Sequence, residues 1–389
     1  MLFETWEGRS VPARKELLER VPGSQHKLKL PELQRIVHLP VFAPDGTLQT
    51  ELGYVPELKV YLSLKDEFHS VPDVVTDEHV SEALFWLHEL VRDLPFSDYE
   101  ESPLPQYTLD VDDDGWPLPN LERGKASRVN LFAMLLQPIV RGMIAGPCPG
   151  YHLDKPTRGT GASLVIKIFS AIISGTVPPT RSVPMQNVEE LRKQLTTALR
   201  GGQELVIWDN INTHLDSPDI ASALTAGQWN DRQLATNNDI TVDITQTFVF
   251  AGNGLSMSEE LRDRMVPIYI DANVENPDSE RPAIKDGAAY KYSDLINQFV
   301  FPHRADLVWS LHVLVAYYVQ ERDAGRHQPA PEGGEMAGRF PAWQAFFADV
   351  FTAVQLDGLL ANRANYMAVR SDEKDTLVEF VSEWFDKGA

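Results

Sequence analysis

The fold of this chain is decided by residues 150–175, which read GYHLDKPTRGTGASLVIKIFSAIISG. Gly150–Lys155 predicts a short strand, and the apolar run Gly161–Ser174 predicts a buried helix that Gly175 stops. Between them lie residues 159–163 (Gly-Thr-Gly-Ala-Ser), the glycine turn. Backbone amides and a helix N-terminus at such a turn can bind an anion. The stretch predicts either a phosphate-binding loop or a turn that serves packing alone.

The glycine turn departs from the phosphate-loop pattern G-x-x-x-x-G-K-S/T at two positions. Pro156 replaces the first glycine, and Ala162 stands where a lysine should reach the β- and γ-phosphates. Three explanations of Ala162 are open. The variant is natural, and Lys155, Arg158 or Lys167 supplies the charge. Alternatively, the protein is a weak or inactive ATPase that still assembles, or a lysine was replaced by alanine to trap a complex.

Three short apolar runs follow the glycine turn and predict further strands of the same sheet. Their apolarity is continuous, as required of parallel strands that are covered on both faces. Helical segments between them imply crossover connections and a layered α/β core. The runs are Leu205–Trp208, Phe248–Ala251 and Val266–Ile270.

Polar residues at the ends of these runs are the candidate catalytic residues. Asp209, followed by Asn210, comes at the end of the first run, where a carboxylate can hold Mg²⁺. Asn253 follows the second run and is suited to orient an attacking water. Arg262 and Arg264 precede the third, where an arginine could reach the γ-phosphate of a neighbouring subunit. Each residue alone is equally explained as a turn or surface residue, so the prediction depends on their order.

The rest of the chain divides into regions of different pattern. We predict a mixed, β-containing N-terminal region (1–75), a helical collar and linker (76–149), the α/β core (150–272) and a helical C-terminal region (273–389). The individual elements are a hairpin at Pro40–Leu48, a Pro- and Asp-rich linker at Pro95–Pro119, and helices at Thr76–Arg92, Arg128–Ile144, Asn187–Arg200, Ala305–Arg322, Pro341–Ala353 and Glu373–Asp386.

Composition narrows the possible partners. The chain has 389 residues and a net charge of −21, so it lacks the basic surface that coats DNA, and any DNA contact must be local. No apolar run approaches the ~20 residues that span a bilayer. The N-terminus lacks the apolar segment of a signal peptide. The single cysteine, Cys148, fits a reducing cytoplasm and is interpreted as a structural thiol.

An acidic motif outside the predicted α/β core is a second candidate site for a cation. Asp110–Gly115 matches the first half of a Ca²⁺-binding loop. Position twelve is Leu121 instead of glutamate, so an acidic, solvated turn is the interpretation we adopt. The ten histidines show no paired spacing typical of zinc sites.

From about Leu30 to Phe385 the chain resembles the AAA+ helicase-type ATPase domain of mobile-element primase-helicases, the replication proteins of phages, plasmids and integrative elements. The order of short motifs carries this resemblance. They are Pro40–Gly46, Ser127–Asn130, Leu135–Arg141, Val206–Asn210, Leu215–Pro218, Leu224–Thr225, Trp229–Arg232, Ala251–Gly254 and Leu261–Arg264.

The resemblance implies a P-loop NTPase core of the AAA+ type, with a parallel sheet. It implies ATP bound by Gly159, Thr160, Gly161, Ala162 and Ser163, and Mg²⁺ held at Ser163 and Asp209. Asn253 is similar to the sensor asparagine, Arg264 to the trans-acting arginine, and Arg232 is a further candidate. Two departures stand out, Ala162 and the Asn210 that follows Asp209 in place of a glutamate.

The resemblance also implies a function, ATP-dependent helicase or translocase work on DNA during replication of a mobile element. An arginine acting in trans requires a homo-oligomeric ring, which we expect to be a hexamer with DNA-binding loops in its pore. A separate primase is a possible partner. Two alternatives are open: a nucleotide-binding assembly or regulatory protein that does not hydrolyse ATP, and a scaffold whose phosphate loop is vestigial.

Overall fold

The computed structural model describes residues 2–4, 10–12, 31–64, 66–100, 102–177, 188–212, 214–232, 239–330 and 334–368. Its contacts divide the chain into two units, Met1–Leu33 and Gln34–Ala389. In the first unit, β1 (Leu2–Glu4) pairs antiparallel with β2 (Ser10–Pro12). The residues predicted to carry chemistry lie in the second unit.

The second unit contains the following strands and helices. The strands are β3 (Arg35–Val37), β4 (Val41–Phe42), β5 (Leu48–Gln49), β6 (Gly53–Val55), β7 (Val60–Leu62), β8 (Phe96–Ser97), β9 (Tyr107–Val111), β10 (Pro117–Pro119), β11 (Gly150–Asp154), β12 (Leu205–Ile211), β13 (Gln228–Arg232), β14 (Asp239–Asp243), β15 (Thr247–Gly252) and β16 (Met265–Ile270). The helices are α1 (Asp77–Leu90), α2 (Lys125–Val140), α3 (Ala162–Ser174), α4 (Val188–Arg200), α5 (Pro218–Ala226), α6 (Glu259–Arg262), α7 (Pro277–Glu280), α8 (Arg304–Asp323) and α9 (Pro341–Ala353), with a 3₁₀ turn at Arg141–Met143 and a π-helical turn at Ile296–Val300.

A five-stranded sheet of order β12-β15-β11-β16-β8 forms the centre of this unit. Strands β12, β15, β11 and β16 are parallel to one another, and β8 is antiparallel to β16 at one edge. Strand β15 is buried along its whole length, in agreement with the continuous apolarity of Phe248–Ala251, and β11 is equally buried although it contains His152 and Asp154. The mixed α/β class, with a mainly parallel sheet, is therefore confirmed.

The carboxyl ends of the parallel strands meet at one edge of the sheet, where ligands of open α/β sheets usually bind. Strand β11 leads into Lys155 and the glycine turn, and β15 ends just before Asn253. Strand β15 lies between β11 and β12, which carries Asp209. This strand order brings three predicted site segments to a common edge.

Helix α3 agrees closely with the predicted helix. It begins after Gly161 and ends at Gly175. Gly175 has a φ of +70°, and its N–H donates a hydrogen bond to the Ala171 carbonyl, which closes the last turn. The side chains of Val165, Phe169 and neighbouring apolar residues are fully buried. Burial on nearly all sides explains why this helix is apolar around most of its circumference.

The two predicted helices before the sheet are also confirmed, with α1 capped by Thr76 and α2 buried from Ala126 onward. The linker predicted at Pro95–Pro119 is wrong in part. This segment contributes β8 to the main sheet and forms the β9–β10 hairpin. The edge strand β8 has only two residues, which is too short to give a periodic pattern of apolar residues.

Of the remaining predicted elements, some are confirmed and others lie outside the described residues. The β4–β5 hairpin, α4, α8 and α9 are confirmed. The predicted helix Glu373–Asp386 and the Asn187 cap lie outside the described residues. The four-part domain division stays a prediction, although α2 of the predicted collar and several residues of α8 and α9 share one core cluster with the sheet.

Candidate functional site

The side chains of Ser163 and Asp209 meet at the carboxyl edge of the sheet. The Ser163 hydroxyl, in the first turn of α3, donates to Oδ2 of Asp209 over 3.0 Å. The other carboxylate oxygen, Oδ1, accepts the Asn210 amide over 2.7 Å. Asp209 is only 6% exposed. A buried carboxylate therefore lies next to a hydroxyl at the start of a helix, the arrangement that the sequence predicts for two ligands of one metal ion.

The backbone of the glycine turn leaves amide groups available at that point. Gly159 and Gly161 have φ of +78° and +114°, which favour glycine. The first helical hydrogen bond of α3 runs from the Val165 amide to the Gly161 carbonyl. The amides of residues 162–164 therefore have no partner in the preceding helical turn. Together with the helix dipole, they favour an anion at this end of α3.

A cavity of about 290 Å³ adjoins the glycine turn. One wall is formed by the end of α1 and the segment that leads to β8, and another by the segment after β16. The lining residues are Leu90, Arg92, Asp93, Leu94, Lys155, Gly159, Thr160, Gly161, Ala162, Ser163, Leu164, Arg281, Tyr290, Tyr292 and Leu295. Its lining combines charged side chains and the glycine turn with apolar and aromatic residues, a combination typical of small-molecule sites.

Of the three cations predicted to replace the missing lysine, Lys155 is the best placed. Lys155 lines the cavity together with the glycine turn. Burial lowers the pKa of its ammonium group, Asp209 opposes that effect, and Arg158 adds to it. Arg158 is exposed and does not line the cavity. Lys167 is exposed along a second cavity of about 1230 Å³, between α3, α4 and β12, which Ser163 and Asp209 also line.

Asn210 and Asn253 are exposed at the ends of neighbouring strands. Asn210 has a left-handed backbone with φ of +60°, a conformation that asparagine tolerates better than most residues. Asn253 follows β15, and the next residue, Gly254, donates its amide to the Lys155 carbonyl over 3.0 Å. Asn253 therefore stands between the strand of the glycine turn and the strand of Asp209.

Two of the three predicted arginines, Arg262 and Arg264, precede β16 and are buried there, away from the carboxyl edge of the sheet. Arg264 is 8% exposed, and its guanidinium contacts the Glu260 carboxylate at 3.1 Å. Arg262 is equally buried, and its Nε and Nη1 have no hydrogen-bond partner among the described residues. Arg232 ends β13, opposite Asp239, and its side chain lies outside the described residues. A role in trans stays a prediction for all three.

Sequence reasoning missed Arg281. Its Nη2 donates to the Thr160 carbonyl inside the glycine turn, and its Nη1 donates to the Asp93 carbonyl, each over 3.1 Å. The guanidinium also lies 5.1 Å from the ring centre of Tyr290. Arg281 follows the short helix α7 and is 121 residues from Thr160. No local pattern could have identified this contact.

The acidic motif at Asp110–Gly115 forms a turn held by cations of the chain itself. Oδ1 of Asp112 accepts the amides of Asp114 and Trp116, and Oδ2 contacts Arg92 and Lys291. These partners hold the pKa of the Asp112 carboxyl well below its usual range, although burial works in the opposite direction. Its carboxylate is already paired, which supports the interpretation as an acidic turn.

Three further findings concern the cysteine, the length of the helices and the grouping of metal-binding side chains. Cys148 is buried, and burial raises the pKa of its thiol. An inert structural thiol is the consequence. Among the described helices, none combines the length and apolarity that a membrane crossing requires. Within the described ranges, no three histidine, cysteine, aspartate or glutamate side chains are grouped as a metal site.

Comparison with known proteins yields neither a matching family model nor a matching curated protein.

Proposed function

We propose that this chain is a P-loop ATPase of the AAA+ type, with MgATP bound between the glycine turn and Asp209. The observation that carries the proposal is the 3.0 Å contact between the Ser163 hydroxyl and the Asp209 carboxylate. The serine follows the glycine turn directly, and the aspartate comes from a strand two positions away in the sheet. A turn that served packing alone would not need a buried carboxylate at this point.

The two oxygens fit a magnesium ion. Neighbouring ligands of an octahedral Mg²⁺ with bonds of 2.0–2.1 Å lie about 3 Å apart, and carboxylate and hydroxyl oxygens are suitable ligands. Ser163 and Asp209 would hold the ion, directly or through its water molecules. When bound, Mg²⁺ would neutralise phosphate charge and stabilise the transferring phosphoryl group.

The strand order supports a hydrolytic arrangement. Strand β15 separates the strand of the glycine turn from the strand of Asp209, and its tip presents Asn253 between them. An amide in that position can hydrogen-bond a water that approaches the γ-phosphate. The free amides of the first turn of α3 and the Lys155 ammonium would supply positive potential for the phosphates.

The cavity beside the glycine turn suits the nucleoside. Tyr290, Tyr292 and Leu94 give apolar and aromatic surface next to the first residues of α3. A planar base can pack against such walls while its phosphates extend toward Ser163. The resemblance makes adenine the expected base, so the proposed ligand is ATP.

The proposal extends to assembly and DNA by resemblance. A net charge of −21 disfavours DNA binding over most of the surface, which favours a ring with local contacts in its pore. Arg264 could reach a neighbouring subunit only after leaving Glu260, which now holds it. We therefore propose that nucleotide binding and ring assembly, as a hexamer, accompany each other in DNA replication of a mobile element.

One alternative function has specific support. Ala162 removes the phosphate-loop lysine, and Asn210 stands where a carboxylate base often follows the metal-holding aspartate. The lysine contributes to binding and to hydrolysis, whereas a carboxylate base contributes to hydrolysis alone. A nucleotide-binding assembly protein without turnover is therefore the second candidate.

The experiment compares ATP hydrolysis and oligomeric mass of the wild-type chain with and without single-stranded DNA. The proposal expects hydrolysis that DNA stimulates, and its loss in Asp209→Asn. Asp216→Asn removes an exposed carboxylate nearby and serves as the matched control. ATP-dependent assembly without turnover would favour the second candidate. If neither hydrolysis, assembly nor nucleotide binding occurs, the phosphate loop is vestigial and both functions are wrong.

A further inference from the structure

Arg281 joins three segments that are far apart in sequence. Its guanidinium bonds the Thr160 carbonyl of the glycine turn and the Asp93 carbonyl that follows α1. It also stacks against Tyr290, which lies in its own segment. All four residues line the cavity of about 290 Å³. Arg281 therefore fixes the position of the glycine turn relative to both walls.

The contact to Thr160 determines which way one peptide group faces. A trans peptide is planar, and its carbonyl and N–H point in opposite directions. With the Thr160 carbonyl held by Arg281, the Gly161 N–H is turned away from that guanidinium. This amide precedes the free amides at the start of α3. Arg281 therefore favours an orientation in which the Gly161 N–H and the amides of residues 162–164 can donate to one anion.

The glycine turn needs such support because of its composition. Gly159 and Gly161 flank Thr160, and glycine accepts both signs of φ at little cost. The Thr160–Gly161 peptide can therefore flip and point its carbonyl oxygen toward the anion, which would repel phosphate. Ala162 offers no side-chain donor that could oppose this flip. The bond from Arg281 opposes it from outside the turn.

We propose that Arg281 is a positioning residue for phosphate, which acts by holding the Thr160–Gly161 peptide with its amide directed at the ligand. This inference rests on the proposed function, since it assumes that the glycine turn binds phosphate. Lysine keeps the charge but lacks the planar fork that bridges two carbonyls, so the two cations are distinguishable at this position.

The test measures the affinity of the full chain for two probes, MgATP and inorganic tripolyphosphate, by calorimetry. Arg281→Ala is expected to weaken both by about ten-fold or more, the effect of losing a charge-assisted hydrogen bond. Arg281→Lys is expected to recover only part of either affinity. Lys285→Ala removes a cation of the same segment that contacts Trp116 instead of the turn, and it should leave both affinities unchanged.

Each other outcome has a defined meaning. Weaker ATP binding with unchanged tripolyphosphate binding would assign Arg281 to the nucleoside and overturn the inference. Full recovery in Arg281→Lys would overturn it in favour of charge alone. If the wild-type chain binds neither probe, the proposed function itself fails and the inference falls with it. If Arg281→Ala does not fold, as judged by circular dichroism, Arg281→Lys carries the same comparison.

Discussion

The Gly254 amide donates to the Lys155 carbonyl over 3.0 Å, and this bond ties the end of β15 to the residue that leads into the glycine turn. The bond keeps Lys155 beside Asn253, and the Lys155 side chain lines the cavity. The glycine turn lacks the usual lysine. Of Lys155, Arg158 and Lys167, the three cations near the turn in sequence, Lys155 is the one that lines the cavity of the predicted ligand. Nucleotide affinity should therefore depend on it.

Replacing Lys155 with alanine should weaken MgATP binding by about ten- to a hundred-fold, because a charge-assisted contact to phosphate is lost. Equilibrium titration with a fluorescent ATP analogue measures the change. Arg326→Ala is the matched control, since Arg326 is exposed and lines neither cavity. Equal losses in the two variants would show that only the net charge of the protein matters.

A lysine at position 162, where the phosphate-loop pattern has one, should restore the MgATP affinity that Lys155→Ala loses. Ala162 borders the cavity but is only 1% exposed and belongs to the hydrophobic core, so a lysine at this position must extend along the cavity wall to reach the ligand. We expect the double variant Lys155→Ala, Ala162→Lys to bind MgATP within about three-fold of the wild-type chain, well inside one decade of affinity.

The single variant Ala162→Lys completes that comparison. Hydrolysis similar to the wild-type rate is expected if Lys155 already supplies the charge. Activity that appears only with lysine at 162 would instead show that the natural loop is inactive or altered, and that Lys155 does not compensate.

The stability of the chain should change with pH through Glu204, which precedes β12. Burial raises the pKa of this carboxyl from 4.5 to about 7, although Arg35 and Arg304 oppose the shift. The folded state therefore holds the proton more tightly than the unfolded state. This stabilisation is complete below about pH 4.5 and is lost as the pH rises through about 7.

Glu204→Gln removes this titration. At pH 8 the variant should be more stable than the wild-type chain, by up to about 3 kcal/mol in free energy of unfolding, and the difference should shrink at pH 5. Urea denaturation at the two pH values measures it. Glu57→Gln alters an exposed glutamate and should give no pH-dependent difference. A constant offset for Glu204→Gln would mean that burial does not control this carboxyl.

Much of the candidate site was predictable because its signals are local. The glycines that bracket Thr160, the apolar run of α3 and the carboxylate late in β12 each occupy a short stretch. Parallel strands bring their carboxyl ends to one edge, so the meeting of Ser163 with Asp209 follows from element types alone. The observed contact at 3.0 Å agrees with that expectation.

The remaining features depend on contacts that sequence patterns do not encode. Strand β8 has two residues and joins the sheet through pairing with β16. The partners of Arg281 are 121 and 188 residues away, and only the folded chain brings them together. The contact between Arg264 and the exposed Glu260 is local, but the burial of Arg264 comes from tertiary packing.

The most direct test of the central claim is the effect of Mg²⁺ on ATP affinity, measured by calorimetry in the wild-type chain and in Ser163→Ala. If Ser163 and Asp209 hold the metal, Mg²⁺ should tighten ATP binding by about ten-fold in the wild-type chain, which corresponds to about 1.4 kcal/mol. The serine variant should bind metal-free ATP as before but lose that gain. An equal Mg²⁺ effect in both proteins, or no ATP binding by the wild-type chain, would contradict the account.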